Sequence, residues 1–160
     1  MSTIESILAA KLNSHVTIQE TAKGRGVFAR KKFVKGETVV VGIPIEEVSQ
    51  RTIYSFQMDF NLHVNLDEPA VVINHSCYGN TGVKNNQFGG YDFVALCDIE
   101  AGEEITWDYE TTEYESIAVL ECLCKSPYCR GKTLGFKFRE QMLRDRYGEY
   151  IADYLKTKRK

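Results

Sequence analysis

Three cysteines in one short run, Cys122-x-Cys124-x4-Cys129, carry the plainest chemistry in this chain. Their spacing follows no helical face, so it suits a loop wrapped around a soft metal ion. A closed structural zinc site wants four ligands in a tetrahedron. The fourth must come from elsewhere, and the candidates are Cys77, Cys97, His15, His63 and His75. Cys97 follows the apolar run Phe93-Val94-Ala95-Leu96 and reads as a small buried hydrophobe. Cys77 lies at a turn and is the expected fourth ligand. It also ends a second unusual stretch, Val71-Val72-Ile73-Asn74-His75-Ser76-Cys77. There an apolar run draws four polar side chains toward the core, where each unpaired group costs roughly 1–3 kcal/mol. Asn74, His75, Ser76 and Cys77 should therefore all have partners.

Two shorter patterns gain meaning only in company. Gly24-Arg25-Gly26 is half of a phosphate-cradling loop, but Ala29 replaces the third glycine and a strand-like segment follows, which disfavours a dinucleotide site. Asp108-Tyr109 by itself passes as a core tyrosine beside a solvated carboxylate.

The elements that must position these residues are mostly strands. Val16 to Glu20 and Thr38 to Val41 are β-rich, with turns at Gly24-Arg25-Gly26 and Lys35-Gly36. Tyr54, Phe56, Met58, Phe60, Leu62, Val64 and Leu66 hold every even position, a period of two that predicts strand with a break near Asp59. Gly79 to Gly82 predicts a turn, Gly89-Gly90 a hairpin into the strand Phe93 to Cys97, and Ile105 to Tyr109 a further strand. Helix is expected at the ends. Ile4, Ile7, Leu8 and Leu12 share one face, as do Leu143, Tyr147, Tyr150, Ile151, Tyr154 and Leu155, with Gly148 a weak point in the second helix.

At 160 residues the chain suits one core, and a net charge of −2 implies no general attraction to nucleic acid or membrane. No run approaches the ~20 apolar residues of a membrane helix, and Met1 to Leu12 does not read as a secretory signal. An intracellular setting is expected, in nucleus or cytoplasm alike. Five cysteines in a reducing compartment then read as metal ligands rather than disulfides. The basic end Lys156 to Lys160 reads as a solvated tail.

Taken together and in order, these pieces resemble the SET-domain protein lysine methyltransferases. The resemblance rests on Gly24-Arg25-Gly26-Val27-Phe28-Ala29, Asn74-His75-Ser76-Cys77 with Asn80 beyond it, Gly102-Glu103-Glu104-Ile105-Thr106-Trp107-Asp108-Tyr109, and a post-SET cysteine loop. It implies a mostly β fold of small curved sheets with a pseudoknot, which brings Asn74-His75 beside Tyr109 and Cys77 beside the cysteine loop. It divides the chain into an N-terminal extension (1–15), a SET domain (16–115), a post-SET zinc loop (116–135) and a C-terminal helix with basic tail (136–160).

The implied reaction is methyl transfer from S-adenosylmethionine to a lysine side-chain amine. The resemblance assigns the cofactor to Gly24, Arg25, Gly26, Asn74, His75 and Tyr109, and the metal to Cys77, Cys122, Cys124 and Cys129. Tyr109 is the expected catalytic residue, orienting the amine rather than taking its proton. Tyr54 and Trp107 are expected to wall the lysine channel. Many relatives carry tyrosine where this chain reads Gly42, so one pocket wall is expected to be missing. Trp107 stands where relatives use Phe or Tyr to limit methyl number; lacking a hydroxyl, it points to multiple methylation. Two alternatives accompany this reading: an acceptor that is free lysine or a small amine, and a non-catalytic module that binds protein tails. The tyrosine-bearing C-terminal face is a candidate homodimer contact.

Overall fold

The computed structural model describes Ile4, Ile7 and residues 11–157. Ile4, Ile7, Lys11 and Leu12 are helical and the three apolar ones are exposed; Leu8 and the basic tail from Lys158 lie outside the described residues. The architecture is mostly β. A first hairpin joins β1 (Val16–Thr21) to β2 (Gly24–Ala29) through Ala22-Lys23. Gly24, at φ +94°, ends that turn, and Gly26 lies inside β2 rather than in the turn expected from the Gly-x-Gly pattern.

After β3 (Thr38–Val41) and β4 (Pro44–Val48), the period-two stretch resolves into β5 (Phe56–Asp59) and β6 (Leu62–Leu66). The turn falls next to Asp59, as the pattern predicts. Phe56, Met58, Val64 and Leu66 are buried, whereas Tyr54 lies before β5 and is 65% exposed. Phe60 sits in the turn itself, edge-on to Tyr114 and Tyr154.

Next come the two-residue β7 (Asn74–His75), β8 (Thr81–Asn85), β9 (Tyr91–Ala95) and β10 (Glu104–Trp107). The turn expected at Gly79 to Gly82 ends two residues early, because Thr81 and Gly82 already pair with Ala95 and Val94. Cys97 corrects a second expectation. It lies beyond β9 and is exposed, since the strand ends at Ala95.

Among the described residues a seven-stranded sheet runs β1-β2-β10-β8-β9-β3 with β7 beside β10, and β4-β6-β5 form a second sheet. β10 is the hub. It is antiparallel to β2 but parallel to β7, with Asn74 opposite Thr106 and His75 opposite Trp107. Consecutive chain cannot make such a parallel pair, so the crossover from β7 to β10 carries residues far apart in sequence into one place. Gly79 allows the close pass, because a Cβ there would stand 2.7 Å from the Trp107 Cα.

The C-terminal helical face is buried, not displayed. It breaks at Gly148 (φ +57°) into α1 (Phe136–Tyr147) and α2 (Asp153–Lys156) instead of one helix. Tyr147 and Tyr154 are buried and donate to the Asp108 carboxylate and the Thr112 carbonyl, while Ile151 and Leu155 join the core. The face suggested as a dimer contact is thus spent within the chain. No helix among the described residues is long and apolar enough to cross a membrane.

Candidate active site and metal centre

Asn74 and Gly26 fit as a pair. The Asn74 amide donates to the Arg25 carbonyl (3.0 Å) and to Glu104 Oε2 (2.9 Å). A Cβ on Gly26 would lie 2.8 Å from that carboxylate and 3.0 Å from the Asn74 amide nitrogen, so only glycine lets β2 and β7 approach this way. Lys23 adds an ion pair to Glu104 at 3.3 Å. Further along, the Asn80 side chain bridges the Glu104 carbonyl and the Thr106 N–H, locking the start of β8 to β10.

His75 is buried, and both ring nitrogens are engaged. Nδ1 accepts the Tyr109 backbone N–H at 3.1 Å, which leaves the proton on Nε2, 3.4 Å from Cys77 Sγ. Burial, reinforced by the nearby Arg130 charge, pushes the imidazole down to about 3, so it is neutral at physiological pH. His75 therefore joins the tyrosine segment to the thiol cluster.

Tyr109 follows β10 in a 3₁₀ turn (Tyr109–Thr111) capped by Asp108, whose side chain accepts from the Glu110 N–H. Its hydroxyl donates to the Ile73 carbonyl at 2.8 Å, and its ring packs on Trp107 (4.6 Å) and edge-on to His75 (5.1 Å). Burial holds the phenol well above its ordinary value, so it stays protonated and serves as a hydrogen-bonding group rather than a base.

Two cavities of very different size meet at Tyr109. The larger, about 820 Å³, is lined by Lys23, Gly24, Arg25, Asn74, His75 and Tyr109 on one side and by Val119, Cys122 and Leu123 on another. The smaller is a slot of about 30 Å³ lined by Tyr54, Phe56, Trp107, Tyr109, Glu113 and Ile117 among others. Thr52, Ile53, Tyr54, Val71, Tyr109 and Ala118 belong to both walls. Trp107 is buried and stacked on Phe56 at 5.3 Å; its Nε1 has no acceptor among the described residues. Gly42 is not at either cavity. A Cβ there would press on Leu66 and Ala70 at 2.8 and 2.9 Å, so the expected missing wall is instead a packing contact.

The thiols of Cys77, Cys122, Cys124 and Cys129 all lie within 4.8 Å of one another, and Cys77 to Cys122 is 3.8 Å. Sulfurs bonded at about 2.3 Å in a zinc tetrahedron are separated by about 3.8 Å, so the donor set fits that ion. Backbone N–H groups of Arg130 and Gly131 point at Cys77 and Cys129 Sγ (3.3 and 3.4 Å), as suits thiolates. Among the candidates for fourth ligand, His15, His63, His75 and Cys97 stand outside this cluster.

Sequence reasoning missed the acidic residues around Tyr109. Asp108 is a buried anchor that accepts from Arg130 (2.8 Å) and Tyr147 (2.9 Å). Glu110, fully buried, binds Arg130 and Arg139 and accepts the Leu134 and Gly135 N–H groups. Glu113, also buried, accepts the Gln57 N–H (3.0 Å) and the Thr112 hydroxyl (2.6 Å), both through Oε2. Nothing in Glu110-Thr111-Thr112-Glu113 marks these carboxylates as internal. Charge suggests solvent; Arg130, Arg139 and the backbone at the start of α1 reverse that for Glu110, and Gln57 of β5 and Thr112 do so for Glu113.

The family model of the SET domain matches residues 24–110. The chain belongs to the SET-domain family. It is similar to the H3 lysine-4 specific histone-lysine N-methyltransferase of Saccharomyces cerevisiae, at 35% identity over 85 residues, covering 49% of this chain and 8% of that protein. It is also similar to the histone-lysine N-methyltransferase SET9 of Gibberella zeae, at 34% identity over 103 residues, 59% of this chain and 15% of that protein. The methyltransferase flvH of Aspergillus flavus is 25% identical over 142 residues, 86% of this chain and 76% of that protein. The chain thus spans under a tenth of the yeast relative's length but most of the flvH length.

Proposed function

We propose that this chain is an S-adenosylmethionine-dependent lysine N-methyltransferase. One observation carries the reading: Tyr109 forms a shared wall of a cleft large enough for a nucleoside joined to an amino acid and of a narrow aromatic slot. A methyl donor in the first and an amine in the second would meet at that residue. Gly24, Arg25, Asn74 and His75 line the cleft side, with Gly26 packed behind them against Asn74, and Tyr54 and Trp107 line the slot side. The names of the yeast and Gibberella relatives support a protein lysine as acceptor.

When bound, the cofactor supplies an electrophilic methyl group. The chain's own residues supply position. The Tyr109 hydroxyl, anchored on the Ile73 carbonyl, offers its lone pairs at the junction. The aromatic slot strips water from the amine, which reacts only in its neutral form; a lysine amine of pKa about 10.4 is only about 0.04% neutral at pH 7. Much of the rate would come from holding the reactants in line. Cys77, Cys122, Cys124 and Cys129 would hold structural zinc, keeping Cys122 and Leu123 in the cleft wall.

Calorimetric titration with S-adenosylmethionine and a radiolabelled transfer assay test the proposal, offering a lysine peptide and free lysine in parallel. Saturable cofactor binding with label on an amine is expected. Binding without transfer to either acceptor would favour a tail-binding module, and label on free lysine alone would move the acceptor to small amines.

A further inference from the structure

Glu113 is a carboxylate with no evident reason to be buried. Asp108 and Glu110 are surrounded by Arg130, Arg139 and Tyr147, but Glu113 has no ion pair among the described residues. Its hydrogen bonds from Gln57 N–H and Thr112 Oγ1 both fall on Oε2. Gln57 is committed to this arrangement, since its Oε1 accepts the Tyr114 N–H and its Nε2 donates to the Asp59 carbonyl. A buried carboxylate held rigidly on one oxygen is costly unless the other has a use.

Glu113 lines the slot together with Tyr54, Trp107 and Tyr109. A space of about 30 Å³ takes a group the size of one water, or the head of an alkylamine. Faces of Tyr and Trp favour a cation, and a carboxylate beside them favours one that can give up a proton. Resting on the methyltransferase reading, we infer that Glu113 is the group in the slot that binds the substrate ammonium and takes its proton. The proton passes from nitrogen to a Glu113 carboxylate oxygen. This leaves a neutral amine whose lone pair can form the new nitrogen–carbon bond as the donor's carbon–sulfur bond breaks, its electron pair leaving with sulfur, and a neutral carboxylic acid that returns the proton to solvent between turnovers. The same cycle would serve a second methylation, since each transfer leaves nitrogen protonated again.

The electrostatics suit the role. Burial raises the Glu113 carboxyl to about 7, partly offset by the Thr112 and Gln57 hydrogen bonds. A base poised there is charged about half the time at pH 7. The titratable or charged groups that face it are Arg51, from the loop before β5, Tyr91 on β9, Tyr109 in the 3₁₀ turn and Tyr154 on α2. The tyrosines are all pushed up by burial and stay neutral, and Arg51 also donates to the Glu115 carbonyl.

Glu113→Gln keeps an acceptor for Gln57 and Thr112 while removing the base. For wild type, kcat/KM against pH with a lysine peptide should show an acidic limb near 7. The variant should lose that limb, fall by about 100-fold at pH 7, and recover part of the deficit by pH 9.5 as the amine ionises unaided. A second readout needs no turnover: carbon NMR of labelled carboxyls with Nα-acetyl-lysine methylamide as probe. Bound ammonium should move the Glu113 titration to lower pH, and the variant should bind the probe at least 10-fold more weakly. An unchanged rate profile in the variant, or a Glu113 titration that ignores the probe, overturns the inference. If wild type methylates nothing, the methyltransferase reading fails on its own and the probe titration decides Glu113.

Discussion

Tyr109 and Glu113 show how environment divides labour between neighbours on one short segment. Glu113 is buried and Tyr109 partly so, and desolvation drives the phenol further from ionisation and the carboxyl toward neutrality of charge near pH 7. Tyr109→Phe removes only a hydroxyl bonded to the Ile73 carbonyl, so stability should drop by about 1 kcal/mol in urea unfolding. Methyl transfer should fall far more, by at least 10-fold; a variant as fast as wild type would exclude Tyr109 from the chemistry. Glu113 makes an opposite prediction about stability. Its carboxyl rises from 4.5 to about 7 on folding, so the folded state holds the proton more tightly. That contribution is full below about pH 4.5 and disappears as pH climbs through about 7. Glu113→Gln should flatten this dependence and be the more stable protein at pH 8, by on the order of 2–3 kcal/mol. Denaturant melts at pH 5 and pH 8 check it; equal slopes in pH would refute the burial of a working carboxylate.

At the scale of elements, the cysteine loop is clamped to the rest by one arginine. Arg130 donates to the Cys77 carbonyl through Nη1 and to Asp108 and Glu110 through Nη2, while its backbone N–H reaches Cys77 Sγ. The cap of the Tyr109 turn and the thiol cluster thus share a single side chain. Arg130→Gln leaves two buried carboxylates with less compensation, which costs roughly 3–5 kcal/mol when a buried pair is broken. Lower thermal stability and release of zinc at lower chelator concentration should appear together; loss of stability with unaltered zinc retention would separate clamp from metal. The start of α1 carries a second constraint. Gly135 sits at φ +126°, and a Cβ there would come within 2.4 Å of the Tyr114 carbonyl oxygen, so Gly135→Ala should cost about 1–3 kcal/mol or more in the same measurement.

For the molecule as a whole, β7 and β10 join the cleft, slot and thiol cluster. His75 bonds to the Tyr109 N–H on one side and stands 3.4 Å from Cys77 Sγ on the other, while Cys122 belongs to both the cluster and the cleft wall. Metal and cofactor should therefore bind cooperatively, and each must strengthen the other by the same factor. Chelating the zinc from folded protein should weaken S-adenosylmethionine binding by about 10-fold; an unchanged titration curve on a demetallated, still folded sample would sever the two sites.

The sequence by itself determined what depends on local pattern. Alternation placed β5 and β6 and their turn, because a strand half buried on each sheet must repeat every two residues. Thiol spacing announced a loop that gathers its cysteines as a metal site would, and the apolar run before Asn74 required partners for its polar end. Tertiary structure decided what depends on crossing distance. Cys77 joins the cluster and Cys97 does not, because β9 stops at Ala95 and leaves Cys97 outside. Tyr154 turned inward because Gly148 ended the first helix and let α2 fold back on Thr112. Glu113 was the least legible of all. Its surroundings come from β5, β9 and α2, and no local pattern records the charge environment that distant chain imposes on a carboxylate.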